Sequence, residues 1–337
     1  MAIQTNSQNT YAMVGVREDL TDIVALIDPQ ETPFISNIGT GPKPGTTKHE
    51  WQVQTLASAS KTNFQLEGDD TPSAAAAVAR TRLFNYCAIS RKVGSVTGTA
   101  QEVIVAGIAN ELDNQKMLKA VELRRDMEVI VLDNNKYEVG GTTTVRECAG
   151  LATYITNAAA SGSLYTGGNQ YTAAAGTGAD AWNLASTTTG AMTLTALNSA
   201  VQDAFIDGGK PNMLMLSPRN KTAFSNLTLN SSLGGAAQVR YNTNSVRPMA
   251  LIGTVDTWLS NFGQLDVTTN VQMASDSTFL DKTAYLVDTR YAKICYLRGI
   301  GTEDLAKTGD ATKFLTRAEY TLQVDAPNAH AALFAIA

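Results

Sequence analysis

Histidine, cysteine, tryptophan and charge are all scarce in this sequence. Its 337 residues include two histidines, three cysteines and three tryptophans; aromatic residues make up 7% and charged residues 17%, against roughly 25% charged in an average soluble domain. With only His49 and His330, a histidine-based metal site or proton relay is hard to assemble, and each reads as a surface or hydrogen-bonding residue. Cys87, Cys148 and Cys295 are odd in number and widely spaced, with no pair at metal or redox spacing. They read as packed thiols in a reducing cytosol. The most apolar short run, residues 103–109, falls far below the ~20 residues that a membrane-spanning helix needs. Residues 1–13 are rich in Gln, Asn, Ser and Thr and carry no signal-peptide pattern. A basic excess is missing too. The net charge of −5 speaks against non-specific nucleic-acid binding, whose affinity comes from Lys and Arg displacing counterions. These absences point to a soluble, unexported protein with no membrane partner.

What is present reads as about two domains' worth of chain with extended parts. Residues 1–47 hold one short helical candidate, 19–26, followed by Asp28-Pro29, Thr32-Pro33 and Gly39-Thr40-Gly41-Pro42-Lys43-Pro44-Gly45. Such punctuation blocks helix and central strand, so the segment reads as an arm with turns. The glycine-rich stretch lacks a phosphate-loop pattern and reads as a hinge at the base of the arm. Residues 50–56 alternate, with Trp51 and Val53 on one side. Residues 81–93 form a second strand-like run, with Leu83, Cys87 and Ile89 on one face and Phe84 and Tyr86 on the other. A polar, Ala-rich tip at 58–79 joins them. A hairpin of this kind is marginal alone, and a neighbouring copy is expected to cover it.

A charged helical run follows at 98–134. Met117, Ala120, Leu123, Met127 and Ile130 give it the apolar stripe of a half-buried helix, and Lys119/Glu122 and Glu122/Arg125 are i,i+3 partners. At 1.5 Å per residue its main part extends roughly 35 Å, enough for a structural spine. Residues 140–190 turn to Ala, Gly, Ser and Thr around an ordered patch at 146–155, and the part beyond 156 reads as a surface loop. An α/β unit comes next: a helix at 193–206 ended by Gly208-Gly209, a buried strand at 213–216, and Ser217-Pro218 as cap and first residue of another helix. Residues 231–248 read as loop. Strands are expected at 254–259, 263–268, 283–288, 291–297, 314–324 and 329–336. The last two, separated by Asp325-Ala326-Pro327-Asn328, are expected to pair as an antiparallel hairpin, with the long helix packed on this terminal sheet.

Two motifs imitate serine acyl-enzymes, Ser58-Ala59-Ser60-Lys61 and Lys307-Thr308-Gly309, with Ser275-Asp276-Ser277 as a weak third. That chemistry needs the serine to open a buried helix, whereas Ser58 falls in the polar tip. Glu67, Asp69 and Asp70 cluster without calcium-loop spacing and read as a solvated face or an intersubunit ion pair. No catalytic residue, cofactor or metal ligand is expected.

The order of parts resembles the major capsid proteins of tailed bacteriophages with the Hong Kong 97 fold, whose parts are called N-arm, E-loop, spine helix, A-domain and P-domain. Similar stretches are Arg17-Glu18-Asp19-Leu20 with Thr32-Pro33-Phe34, Glu122-Leu123-Arg124-Arg125-Asp126-Met127-Glu128, Gly208-Gly209-Lys210-Pro211, Glu319-Tyr320-Thr321-Leu322 and Asn328-Ala329-His330. The most specific is Leu297-Arg298 followed by Thr302-Glu303-Asp304-Leu305-Ala306-Lys307-Thr308-Gly309-Asp310. The resemblance implies an α+β fold with an N-terminal arm at 1–47 and an E-loop hairpin at 48–95. The spine helix and start of the P-domain follow at 96–140, the A-domain with the Ala/Gly-rich insertion at 141–253, and the P-domain with terminal strands at 254–337. It implies a non-enzymatic protein of the virion, made in the bacterial host cytoplasm. Such a protein forms pentamers and hexamers of an icosahedral or prolate head around double-stranded DNA, without sequence-specific binding. Portal, scaffolding and decoration proteins are the further partners so implied. The rival within the fold is an encapsulin-like nanocompartment shell. Expected intersubunit contacts are Trp51, Phe64, Glu67, Asp69, Asp70, Phe84, Tyr86, Arg124 and Arg125.

Overall fold

A computed structural model describes residues 28–64, 66–68, 77–155, 157–158, 177–178, 181, 191–229, 255–276, 279–307, 309–334 and 336. In chain order its elements are α1 (Pro33–Asn37), β1 (Gly39–Thr40), β2 (Lys48–Val53), β3 (Thr81–Tyr86), β4 (Ala88–Thr97), α2 (Gly98–Glu102), α3 (Glu111–Leu132), α4 (Leu151–Tyr154), β5 (Asn157–Ala158), α5 (Leu194–Ile206), β6 (Met213–Leu216), α6 (Pro218–Leu229), β7 (Thr257–Ser260), β8 (Gly263–Thr269), β9 (Ala284–Val287), β10 (Ala292–Asp304), β11 (Ala311–Val324) and β12 (Ala331–Leu333). The strands form a four-stranded sheet ordered β1-β10-β11-β4, a six-stranded sheet ordered β5-β12-β9-β6-β8-β7, and the β2-β3 hairpin.

The charged helical run breaks in two. Asn110 caps α3, its side chain accepting from the Leu112 and Asp113 amides, and such a cap competes with continuation of the preceding turn. The apolar stripe is also rotated from the expected one: Leu123, Met127, Val131 and Leu132 are buried, whereas Met117 is 58% exposed. This face lies on the four-stranded sheet, as expected of a spine on the terminal strands. Lys92 reaches Asp126 at 2.6 Å and Lys116 reaches Asp304 at 2.9 Å. Phe314, Thr316, Ala318 and Tyr320 of β11 fill the layer beneath. Gly94 makes room for it, since a Cβ there would sit 2.2 Å from the Phe314 ring.

The run expected as one strand at 81–93 is two. Cys87 interrupts it, and the alternation changes phase there: Leu83, Asn85 and Ala88 are buried while Ile89 is exposed. A one-residue slip of a period-two pattern turns every later side chain to the other face. Thus β3 pairs with β2 from Lys48↔Tyr86 to Val53↔Thr81, and β4 leaves the hairpin to pair with β11. The terminal hairpin is also corrected. β11 pairs with β10 and β4, whereas β12 pairs with β9 and β5 in the other sheet. The Asp-Ala-Pro-Asn stretch leads into a 3-10 turn, Pro327–Ala329, that carries the chain between sheets.

A second crossing, residues 288–291, joins β9 to β10 beside the first. The two are tied by the Asp325 amide donating to the Tyr291 carbonyl at 2.8 Å, and Lys293 pairs with Asp325 at 2.6 Å. The α/β unit forms as its pattern predicts, with Thr193 capping α5 and the Ser217 hydroxyl accepting from the Asn220 amide at the start of α6. The glycine-rich 39–45 stretch is neither a phosphate cradle nor a bare hinge. β1 runs parallel to β10, and a Cβ on Gly41 would meet the Cys295 sulfur at 2.4 Å. The helix expected at 19–26, the loop expected at 231–248 and most of the loop beyond 156 lie outside the described residues.

Candidate assembly interface

The base of the hairpin belongs to its own chain. Trp51 is 8% exposed and its indole N–H donates to the Val324 carbonyl at 2.8 Å. Asn85, fully buried, donates to the Ala149 and Leu322 carbonyls and accepts from the Ala149 and Tyr86 amides, so its side chain serves four backbone groups. On the other face Phe84 and Tyr86 gather with Tyr137, the ring centroids lying 5.0 and 5.4 Å from it. The Lys48 ammonium sits 4.0 Å from the Phe84 centroid. Trp51, Phe84 and Tyr86, expected as contacts between subunits, also make contacts within the chain, so the base of the hairpin is supported by its own chain, with Phe84 and Tyr86 still half-exposed.

The tip is different. Past Val53 the loop holds Leu56 at 96%, Phe64 at 85% and Leu66 at 81% exposure, with Glu67 also exposed. Large apolar side chains left in water this completely mark a surface awaiting cover. Asp69 and Asp70 lie outside the described residues. Ser58 is exposed in this loop rather than opening a buried helix. Arg124 and Arg125 sit on α3, where Arg124 donates to the Ser36 hydroxyl at 3.0 Å and Arg125 to the Gln272 amide oxygen at 3.3 Å.

The residue that locks α1 onto the spine escaped the sequence reading. Glu128, fully buried on α3, accepts from the backbone amides of Phe34 at 2.7 Å and Ile35 at 2.9 Å and from Asn270 at 2.8 Å. Burial pushes its carboxyl above the usual range, and the three donors only partly offset that. A mid-helix glutamate normally reads as solvated. The signal that could have singled it out is its place beside Met127 and Val131 on the buried side.

The face of the four-stranded sheet opposite α3 is partly exposed and rich in arginine, although Glu319 on it is only 5% exposed. On β4 it carries Ile89, Arg91 and Val93, paired in register with Glu319, Arg317 and Leu315 of β11. Glu319 bonds both Arg146 and, at 2.8 Å, Arg298, while Arg317 pairs with Glu303. Elsewhere burial governs the ionisable groups. Cys87 is pushed up to about 11 and Cys148 and Cys295 to about 12, all by desolvation first, so these thiols are inert at neutral pH. His330 is fully buried and driven down to about 4 by desolvation, with Asp288 and Asp325 opposing; its Nδ1 accepts from the Asp288 amide at 3.2 Å. Among the described residues, no group of three or more His, Cys, Asp and Glu side chains is placed to hold a metal, and no helix is long and apolar enough to cross a membrane.

A family model described as SU10 major capsid protein matches residues 3–337. This chain belongs to that family. The capsid protein is 30% identical over 123 residues to the major capsid protein of Escherichia phage Phieco32, a match covering 36% of this chain and 34% of that relative, so about a third of the relative's length is spanned. A solved chain from Gordonia phage Cozz superposes with a TM-score of 0.58 at 12% identity, covering 94% of this chain and 90% of the other. The holo-SrpI encapsulin complex from Synechococcus elongatus PCC 7942 superposes with a TM-score of 0.55 at 11% identity, covering 95% and 92%. At such identities the superpositions speak for the fold, which is the α+β fold of Hong Kong 97 type. The family is one of major capsid proteins, whose role is structural.

Proposed function

We propose that copies of this chain close into a phage head, icosahedral or prolate, as pentamers and hexamers enclosing double-stranded DNA without sequence-specific contacts, after synthesis in the host cytoplasm. In this reading residues 1–47 are the N-arm and 48–95 the E-loop reaching a neighbour. The spine and start of the P-domain span 96–140, the A-domain 141–253 and the remaining P-domain 254–337. Phe64 and Glu67, with Asp69 and Asp70 of the same tip, make intersubunit contacts, and Arg124 and Arg125 extend these on the spine. Portal, scaffolding and decoration proteins complete the head.

The observation carrying this is the hairpin itself, anchored at its base through Trp51 and Asn85 yet bearing Leu56, Phe64 and Leu66 in water at its tip. A closed shell needs many such modest, repeated contacts whose geometry closes on itself. Deleting residues 58–79 is expected to leave a folded monomer or capsomer that builds no shells; electron micrographs with normal closed heads from that variant would sink the reading. The encapsulin likeness supports a second reading, a nanocompartment. Native particles that lack nucleic acid and co-purify with an enzyme decide for it.

A further inference from the structure

We infer that the Ala/Gly-rich segment between β5 and α5 braces the base of the hairpin, with Gly178 as the positioning residue that seats it. The inference rests on the reading of that hairpin as an intersubunit arm and names what sets its direction. Composition marks everything past residue 156 as surface loop, yet Gly178 is buried and its carbonyl accepts from the Tyr137 amide at 3.0 Å. Its φ of 74° lies in the left-handed region that glycine adopts without strain. A Cβ there would stand 2.6 Å from the Tyr154 hydroxyl oxygen and 3.0 Å from the Ala149 Cβ. Only glycine fits that corner.

The neighbours of that corner all hold the hairpin. Tyr154 is fully buried, its ring centroid lies 6.0 Å from that of Trp51, and its hydroxyl donates to the Phe84 carbonyl at 2.9 Å. Ala149 exchanges backbone bonds with the Asn85 side chain. Tyr137, tied to the Gly178 carbonyl, packs its ring against Phe84 and Tyr86. One buried point of the segment thus meets Tyr137, Ala149 and Tyr154, and each of them engages β3. Buried polar contacts of this kind specify a single arrangement, and an arm that meets neighbours in a repeated geometry needs one. A segment that served only as a surface loop would have no cause to set a buried, left-handed glycine against all three.

Gly178→Ala tests this, read by hydrogen exchange of the unassembled chain and by electron micrographs of assembled shells. Exchange in peptides covering 81–87 should quicken by about tenfold, the factor that corresponds to one lost hydrogen bond. Peptides covering 213–216 and 284–287 should keep the parent's rates, and closed shells should become scarce. Tyr154→Phe keeps the ring, removes the bond to Phe84 and should quicken the same peptides. In the double variant the added methyl no longer meets a hydroxyl, so the effect should be less than the sum of the two. Unchanged exchange at 81–87 in both single variants overturns the brace and leaves the arm reading standing. Quickening spread evenly over both sheets does the same, since it makes Gly178 a support of the whole fold. Quickened exchange confined to 81–87, with shells at the parental yield, overturns the arm reading and with it the positioning role. If Gly178→Ala yields no folded chain, Tyr154→Phe alone decides by the same readings.

Discussion

Replacing Glu128 by alanine removes the acceptor on which α1 is hung. Two fixed backbone donors, the Phe34 and Ile35 amides, lose their partner, and the Asn270 side-chain nitrogen keeps only the Met215 sulfur. A buried donor left unpaired costs about 1–3 kcal/mol, so the two amides alone predict a loss of about 2–6 kcal/mol. That is large against a total stability of about 5–15 kcal/mol. The loss should be local first, because Phe34, Ile35 and Ile38 enter the core only through this short helix. Glu128→Gln keeps one oxygen acceptor and should lie between. Since burial raises the Glu128 carboxyl, its contribution is largest below the ordinary carboxylate range and is eroded as pH rises through the raised value. Hydrogen exchange by mass spectrometry on peptides covering 33–38 reads the effect. Exchange should quicken by about a hundredfold or more in Glu128→Ala, since each 1.4 kcal/mol is a factor of ten. Unchanged protection of these amides, together with a urea midpoint like the parent's, would refute the reasoning.

Gly41→Ala should destabilise by about 1–3 kcal/mol through overpacking against Cys295, and Cys295→Ala should restore most of it; a thermal melt of the double variant no better than Gly41→Ala alone would contradict this. His330, at about 4 in the fold against about 6.5 unfolded, binds its proton more readily when the chain is open. Its contribution is therefore intact above about pH 6.5 and lost as pH falls toward 4, a swing of about 3 kcal/mol; urea titrations at pH 7 and 4.5 should show it, flattened in His330→Asn. Tyr285→Phe removes the bond from its hydroxyl to the Leu132 carbonyl and should lower the denaturation midpoint by about 1 kcal/mol, which equal midpoints would disprove.

Elements whose side-chain period matches their surroundings were legible in the sequence. The β6–α6 unit, α5 and the buried strand β9 follow from apolar patterning and from Thr193 and Ser217 as caps. Cys87 was not legible, because a change of phase inside a β-rich run leaves composition untouched while reassigning half the run to another sheet. The Asp-Ala-Pro-Asn segment announced a turn, but local turn chemistry is silent about which sheet receives the next strand. β10 and β11 extend beyond their expected ends into residues with exposed polar side chains, where ladder hydrogen bonds rather than apolar alternation hold the strand. Of the candidate contacts, Phe64 and Glu67 are at an exposed tip as polarity and loop length suggested. Trp51 is buried because a large aromatic in a short strand is as well suited to its own core as to a neighbour's.

The paired crossings between the sheets have a mechanical meaning. A single strap would leave the two sheets free to swivel as well as to bend. Two short straps side by side, bonded to each other through Asp325 and Tyr291 and stiffened by the Asp288–Arg290 pair at 2.5 Å, oppose swivel far more than flexion about one line. Because one continuous core also runs through both sheets, the joint holds them as a unit, and in the proposed shell each copy would offer its neighbours edges of fixed geometry.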